Sequence, residues 1–193
     1  MGREFELKYR ATPEQIAGIR KIAGEYREIT METTYYDTPG RKLSPLRWTL
    51  RRRFENGISV CTMKTPATDG GRGEWELEWP DITTAVPELC KLGAPRELLD
   101  LTADGLEEVC GARFTRQAAL VTRPDCTVEL ALDQGVLLGG GREIPLCEVE
   151  VELKAGSEAA AIAFAETLAN ACGLQPESRS KYRRALALAN RKP

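Results

Sequence analysis

The order of its elements predicts an α+β fold for this 193-residue chain, built on a large antiparallel sheet or on a barrel closed from one. Three observations carry this. Segment after segment alternates charged with apolar residues at period two, which is how a strand with one buried face reads. The breaks between those segments are short turns, so the strands follow one another as hairpins. The order runs strands, a helix, many strands, then helices, with no linker and no internal repeat. Residues 1–193 therefore read as one domain, long enough for a real core.

The first strand, residues 3–10, sets Glu4, Glu6 and Lys8 on one face and Phe5, Leu7 and Tyr9 on the other. Thr12 then caps a helix, with Pro13 in its first position and Gln15 closing a capping box, and the pattern predicts a helix to about Glu25. A strand from Glu28 to Tyr36 ends in the turn Asp37-Thr38-Pro39-Gly40. Residues 46–54 and 58–65 form a hairpin across Asn56-Gly57, a pair that favours a tight turn. Arg72–Trp79 alternates Glu74, Glu76 and Glu78 with Trp75, Leu77 and Trp79. Short helices fill 82–107, punctuated by Pro87, Gly93 and Pro95. Strands resume at 109–121, 127–133 and 143–154, with Gly139-Gly140-Gly141 as a turn. Ser157 caps an alanine-rich helix that ends at Gly173, and a last helix runs from about 178 to 190.

The charge of −2 arises from 27 basic and 29 acidic groups. Such a balance gives no global pull toward nucleic acid or an anionic membrane, and no apolar run is long enough to span a bilayer. The chain opens directly into a charged strand, which speaks against a signal peptide. The six cysteines form no CxxC pair and there is no histidine. That argues against the usual zinc sites and against Ser-His or Cys-His nucleophiles, and for reduced thiols in the cytoplasm. An enzyme with this composition works with carboxylates, lysines, arginines and a metal.

The charged faces hold the functional signal. Glu148, Glu150 and Glu152 repeat the first strand's pattern and lead into Lys154. Arg51 and Arg53 share a face, as do Thr62 and Lys64 on the hairpin partner. Carboxylates two residues apart on a strand lie roughly 6–7 Å apart. Their repulsion is about 0.6 kcal/mol in water and about 2.5 kcal/mol at an effective dielectric near 20. An acidic row is therefore tolerable in solvent, but an enclosed one needs cations. A sheet closed on its charged side would grip a polyanion with its basic half and hold metal ions with its acidic half.

These residues resemble the CYTH superfamily, the triphosphate tunnel metalloenzymes. Glu4-Phe5-Glu6-Leu7-Lys8 looks like the family's ExExK signature. The likeness continues through Tyr35-Tyr36-Asp37-Thr38-Pro39, Leu50–Arg53, Thr62–Pro66, Arg72–Glu76, Val128–Gly135, Glu148–Lys154 and Ser180-Lys181-Tyr182, in matching order over essentially the whole chain. The resemblance implies an antiparallel eight-stranded β-barrel with flanking helices. It implies a tunnel in which Mg²⁺ or Mn²⁺ assists hydrolysis of a small-molecule triphosphate, inorganic tripolyphosphate being the simplest. Carried over by position, Glu4, Glu6, Glu148, Glu150, Glu152 and Asp133 are the metal-side carboxylates, with Glu129 and Glu76 supporting. Lys8, Arg51, Arg53, Lys64, Arg72, Arg116 and Lys181 hold phosphates, and Glu4, Glu6, Lys8, Lys64 and Glu150 are the catalytic set. The expectation includes no nucleic acid or membrane partner and leaves room for a homodimer. A nucleotide or thiamine triphosphatase, an adenylate cyclase, and a non-catalytic polyphosphate-binding module are the alternatives.

Overall fold

A computed structural model describes residues 5–66 and 72–190. Its strands are β1 (Glu6–Arg10), β2 (Arg27–Asp37), β3 (Thr49–Glu55), β4 (Ile58–Pro66), β5 (Arg72–Glu78), β6 (Glu107–Arg123), β7 (Cys126–Gly139), β8 (Arg142–Gly156) and β9 (Gln175–Pro176). Its helices are α1 (Pro13–Ile19), α2 (Ile82–Lys91), α3 (Glu97–Leu101), α4 (Glu158–Cys172) and α5 (Lys181–Ala189). The strands form one sheet in the order β5-β4-β3-β2-β6-β7-β8-β1-β9, every neighbouring pair antiparallel. With the two-residue β9 set aside, eight strands remain of these nine, and all eight place side chains on one interior cavity. The barrel arises by curvature: among the described residues no ladder joins β5 back to β1 or β9.

Alternation decides which side chains face out. Val128, Leu130 and Leu132 of β7 and Val149 and Val151 of β8 pack under α1 and α4. Each such buried side chain contributes about 1.5–3 kcal/mol. Leu50, Cys61, Met63 and Trp75 pack under α2 and α3, with Trp48 and Trp79 at the edge of that cluster. The tryptophans thus face helices, as their spacing predicts. A third cluster seats α5 across one end of the barrel, where Tyr182 and Ala185 meet Phe114, Leu137 and Leu146. The seat is close: a Cβ on Gly139 would lie 2.4 Å from the Ala185 carbonyl oxygen.

The local signals act as read. Thr12 and Gln15 form the capping box. Asn56 and Gly57 both take positive φ, 50° and 87°, as a tight two-residue hairpin turn requires. Several boundaries differ by a few residues, and three of them have a clear cause. α1 stops at Ile19 instead of Glu25, because Gly18 and Gly24 weaken the helix and its buried contacts are already made by Ile16 and Ile19. α5 begins at Lys181, not at 178, because Ser180 caps it by accepting from the Arg183 N–H. β7 runs to Gly139 instead of 133. Gly135 lets the strand continue past a close approach of β6: a Cβ there would lie 2.1 Å from the Arg113 carbonyl oxygen. Among the described residues no helix is long and apolar enough to cross a membrane.

Candidate active site

Strand register assembles the charged rows side by side. Glu6 of β1 lies opposite Glu152 of β8, which lies opposite Glu129 of β7. One step deeper, Lys8 lies opposite Glu150. Deeper still, Glu148 faces Asp133, which faces Arg116 of β6. On the far side Thr49, Lys64 and Glu74 are neighbours across β3, β4 and β5, and so are Arg51, Thr62 and Glu76. The rows enclose a cavity of about 380 Å³. Of the residues singled out from sequence, Glu6, Lys8, Arg51, Arg53, Lys64, Glu76, Arg116, Glu129, Glu150, Glu152 and Lys181 line it. Glu4 and the side chain of Arg72 lie outside the described residues. The wall holds further residues that were not among the predicted site residues, among them Arg27, Glu55, Glu74, Lys154 and Tyr182. Glu55, Glu74 and Lys154 continue rows already recognised, whereas Arg27 shares its face of β2 with the apolar Ile29 and Met31. Tyr182 follows Lys181 on the first turn of α5.

Asp133 and Glu148 are placed differently from the expectation. Both are fully buried, and neither lines the cavity. With Glu150 they form a trio whose carboxylate oxygens lie within 4.8 Å of one another, a group able to hold a metal. An ammonium occupies that position. Lys181 Nζ is 2.7 Å from Asp133 Oδ2 and 2.8 Å from Glu150 Oε1, and it donates to Glu148 as well. Arg116 grips both oxygens of Asp133 at 2.8 Å and also donates to Glu150. Arg184 donates to Glu148. Three carboxylates meet three cations, so the group is neutral.

Desolvation costs several kcal/mol per buried ion unless each is paired, and here each is. Burial alone would raise Glu150, but Lys181 and Arg116 beside it hold it well below the usual carboxylate range. Glu148, deeper and next to Glu150, is pushed upward by burial against the pull of Lys181. Burial also disfavours the charged Lys181, yet Asp133, Glu150 and Glu148 override it and keep the ammonium protonated.

The opposite wall is looser. Arg53 Nε donates to Thr33 Oγ1 at 3.1 Å, and burial together with the nearby Arg51 lowers its pKa. Arg51 sits 3.6 Å from Glu76 and 3.8 Å from Glu74, beyond good hydrogen-bond range. Its Nε–H is buried and has no acceptor among the described residues. Lys64 pairs with Glu74 at 3.1 Å. Nearer the mouth, Glu6 accepts from Lys8 at 2.7 Å and Glu152 pairs with Lys154 at 2.8 Å, with these carboxylate side chains 20% and 26% exposed.

The geometry is thus a cavity with one wall on which Arg51, Arg53 and Lys64 alternate with Glu55, Glu74 and Glu76, an opposite wall rich in carboxylates, and a neutral ionic floor. The CYTH domain family model matches residues 2–186. Over 99% of its length the chain is 28% identical to an inorganic triphosphatase of Haemophilus influenzae, and it spans only 56% of that relative. A candidate adenylyl cyclase from Hippeastrum, whose structure is described as revealing a dominant triphosphatase activity, superposes with a TM-score of 0.67 at 16% identity, covering 100% of this chain and 98% of that one. A Pyrococcus horikoshii protein superposes with a TM-score of 0.63 at 25% identity over 97% and 99% of the two chains.

Proposed function

The chain belongs to the CYTH domain family, and on that premise we propose that it hydrolyses a triphosphate, most simply inorganic tripolyphosphate to pyrophosphate and phosphate, within the barrel. The buried, unpartnered Nε–H of Arg51 on the cavity wall is the observation that carries this reading. A buried donor left unsatisfied costs about 1–3 kcal/mol, and a phosphate oxygen would repay it. Arg51, Arg53 and Lys64 supply forked and point-like cationic donors on one wall, with Lys8 and Arg116 on the other. The inorganic triphosphatase of H. influenzae is consistent with the same substrate here.

The mouth suits a hard divalent cation. Glu6, Glu152 and Glu129 are lateral neighbours offering only oxygen donors, and the lysines beside them, Lys8 and Lys154, leave an excess of negative charge. These three would hold Mg²⁺ or Mn²⁺, while Glu150, whose two oxygens accept from Lys181 and Arg116, holds those cations in place. When bound, such an ion neutralises phosphate oxygens and lowers the pKa of a coordinated water. The chain's own residues do the rest. Arg51, Arg53 and Lys64 align the triphosphate, Lys8 Nζ donates to an oxygen of the phosphoryl group under attack, and Glu6 accepts a proton from the attacking water as the bond to the pyrophosphate leaving group breaks. Asp133 and Glu148 act as counter-charges that keep Lys181 and Arg116 in place. The six thiols, all unpaired, fit a reducing cytoplasm.

The test is orthophosphate release from tripolyphosphate with Mg²⁺, Mn²⁺ or Ca²⁺. Turnover that EDTA abolishes is the expected result. Binding of tripolyphosphate with no release would favour a non-catalytic module, and neither binding nor release would end the proposal. A second reading has its own observation. A hollow of about 740 Å³ adjoins the cavity through Arg27, Glu129 and Lys154 and is lined by Tyr26, Ala118, Leu120 and Thr127. An organic group attached to a triphosphate could lodge there, as in a nucleotide or thiamine triphosphatase or an adenylate cyclase. Faster turnover of ATP than of tripolyphosphate would select it.

A further inference from the structure

A hydrogen-bonded chain runs from the loop between β2 and β3 to the cavity floor. Asp37 ends β2 and has no exposed surface. Its Oδ1 accepts from the Thr38 N–H at 2.7 Å and the Leu43 N–H at 2.9 Å. Its Oδ2 accepts from the Ser44 N–H at 3.0 Å and from the Ser44 hydroxyl. Ser44 Oγ also lies 2.8 Å from the Tyr182 hydroxyl. A hydroxyl has one proton, and a carboxylate only accepts. Ser44 therefore gives its proton to Asp37 and receives the one from Tyr182. The chain has a direction, Tyr182 to Ser44 to Asp37, and the phenolic proton of Tyr182 is turned away from the cavity that its side chain lines. Tyr35 packs on the same ring at 5.1 Å.

We propose that Asp37 and Ser44 are positioning residues for Lys181. Neither lines the cavity, so neither reaches a ligand directly. Their link ties the first turn of α5 to the β2–β3 loop. That turn carries Lys181, whose ammonium is shared by Asp133, Glu148 and Glu150. Glu150 in turn holds Arg116. The apolar seat of α5, to which the Tyr182 ring and Ala185 both belong, does not depend on these hydroxyls. Cutting the link should therefore loosen the position of Lys181 without unseating the helix.

The inference rests on the triphosphate reading, and its test separates the two. Tripolyphosphate affinity is measured by calorimetry for the parent, Ser44→Ala, Tyr182→Phe and the double variant, with KM and kcat alongside. Each single change should weaken binding about fivefold, roughly the worth of one neutral hydrogen bond. The effect should fall on KM more than on kcat, and the double variant should be no worse than either single one, since both cut one link. In a Lys181→Gln background Ser44→Ala should have no further effect. Should Lys181→Gln fail to fold, the single and double variants decide alone. A purely structural link would lower the melting temperature and leave KM unmoved. Equal affinity for parent and Ser44→Ala, or the same loss with Lys181 removed, overturns this inference alone. A parent that binds no tripolyphosphate overturns the triphosphate reading and this inference with it.

Discussion

The floor and the mouth of the cavity use the same residue types to different ends. At the floor Asp133, Glu148 and Glu150 meet Lys181, Arg116 and Arg184, all at 13% side-chain exposure or less. At the mouth Glu6 and Glu152 are paired with Lys8 and Lys154 yet stay partly solvated, and Glu129 joins their row. Charge balance explains the contrast. Buried carboxylates are tolerable only when each has its cation, and the resulting network is rigid and neutral. Partly solvated carboxylates can exchange a lysine for water or for an incoming ion at lower cost than buried ones. A cluster of acids is therefore not a metal site by number alone; what counts is whether its counter-ion is already built into the chain.

That contrast can be broken most forcibly at Lys181. Replacing it in Lys181→Met leaves three buried carboxylates with two arginines, and the expected loss is about 3–5 kcal/mol in denaturant unfolding. A loss below about 1 kcal/mol would mean the floor is less enclosed than it looks. Tighter Mg²⁺ binding by this variant than by the parent would show that the lysine stands in for a cation. At the mouth, Glu152→Gln should leave stability within about 1 kcal/mol. It should nonetheless reduce tripolyphosphate turnover on the order of 10²-fold, as for the loss of one charge-stabilising group. Full turnover in Glu152→Gln, with loss in the equally folded Glu148→Gln, would exchange the roles assigned to the two regions.

The smallest effect concerns the segment that leads into α5. Glu177 accepts from the side chain of Arg179 at 3.1 and 3.0 Å and from its N–H at 3.0 Å, and these bonds draw its pKa from 4.5 to about 2. A depressed carboxylate contributes stability above its unfolded pKa and loses it as pH falls through the folded one. The parent should therefore melt above Glu177→Gln at pH 7, and the gap should close between pH 4.5 and about 2. A gap that does not change with pH would show that shape, and not charge, holds this segment.

Much of this was legible before any coordinates. Period two in Glu4–Lys8 and Glu148–Lys154 assigns faces, and Asn56-Gly57 assigns a turn. The candidate set gathers round one cavity because most of its members lie on those alternating faces. Lys154 was as readable as its neighbours, being the next member of a recognised row, whereas Arg27 precedes the apolar Ile29 and Met31 on its face of β2 and carried no such signal. Asp133 and Glu148 were not legible as floor residues, since nothing near them in sequence announces Lys181 and Arg184. Those partners come from a helix more than thirty residues further on. Tyr182 lies within the Ser180-Lys181-Tyr182 motif, but its partner Ser44 is 138 positions away.

By itself the sequence determined the strands, their polar and apolar sides, the caps, the tight turn and the family. Those are local properties, set by backbone geometry and by side chains within a few residues of one another. Only the tertiary structure decided that the charged sides curl inward, that α5 seats across one end, and that a lysine fills the deepest acidic cluster. Such outcomes depend on which distant charges share a low-dielectric space, and the energy of an ion pair is settled by that enclosure and not by the identity of its members.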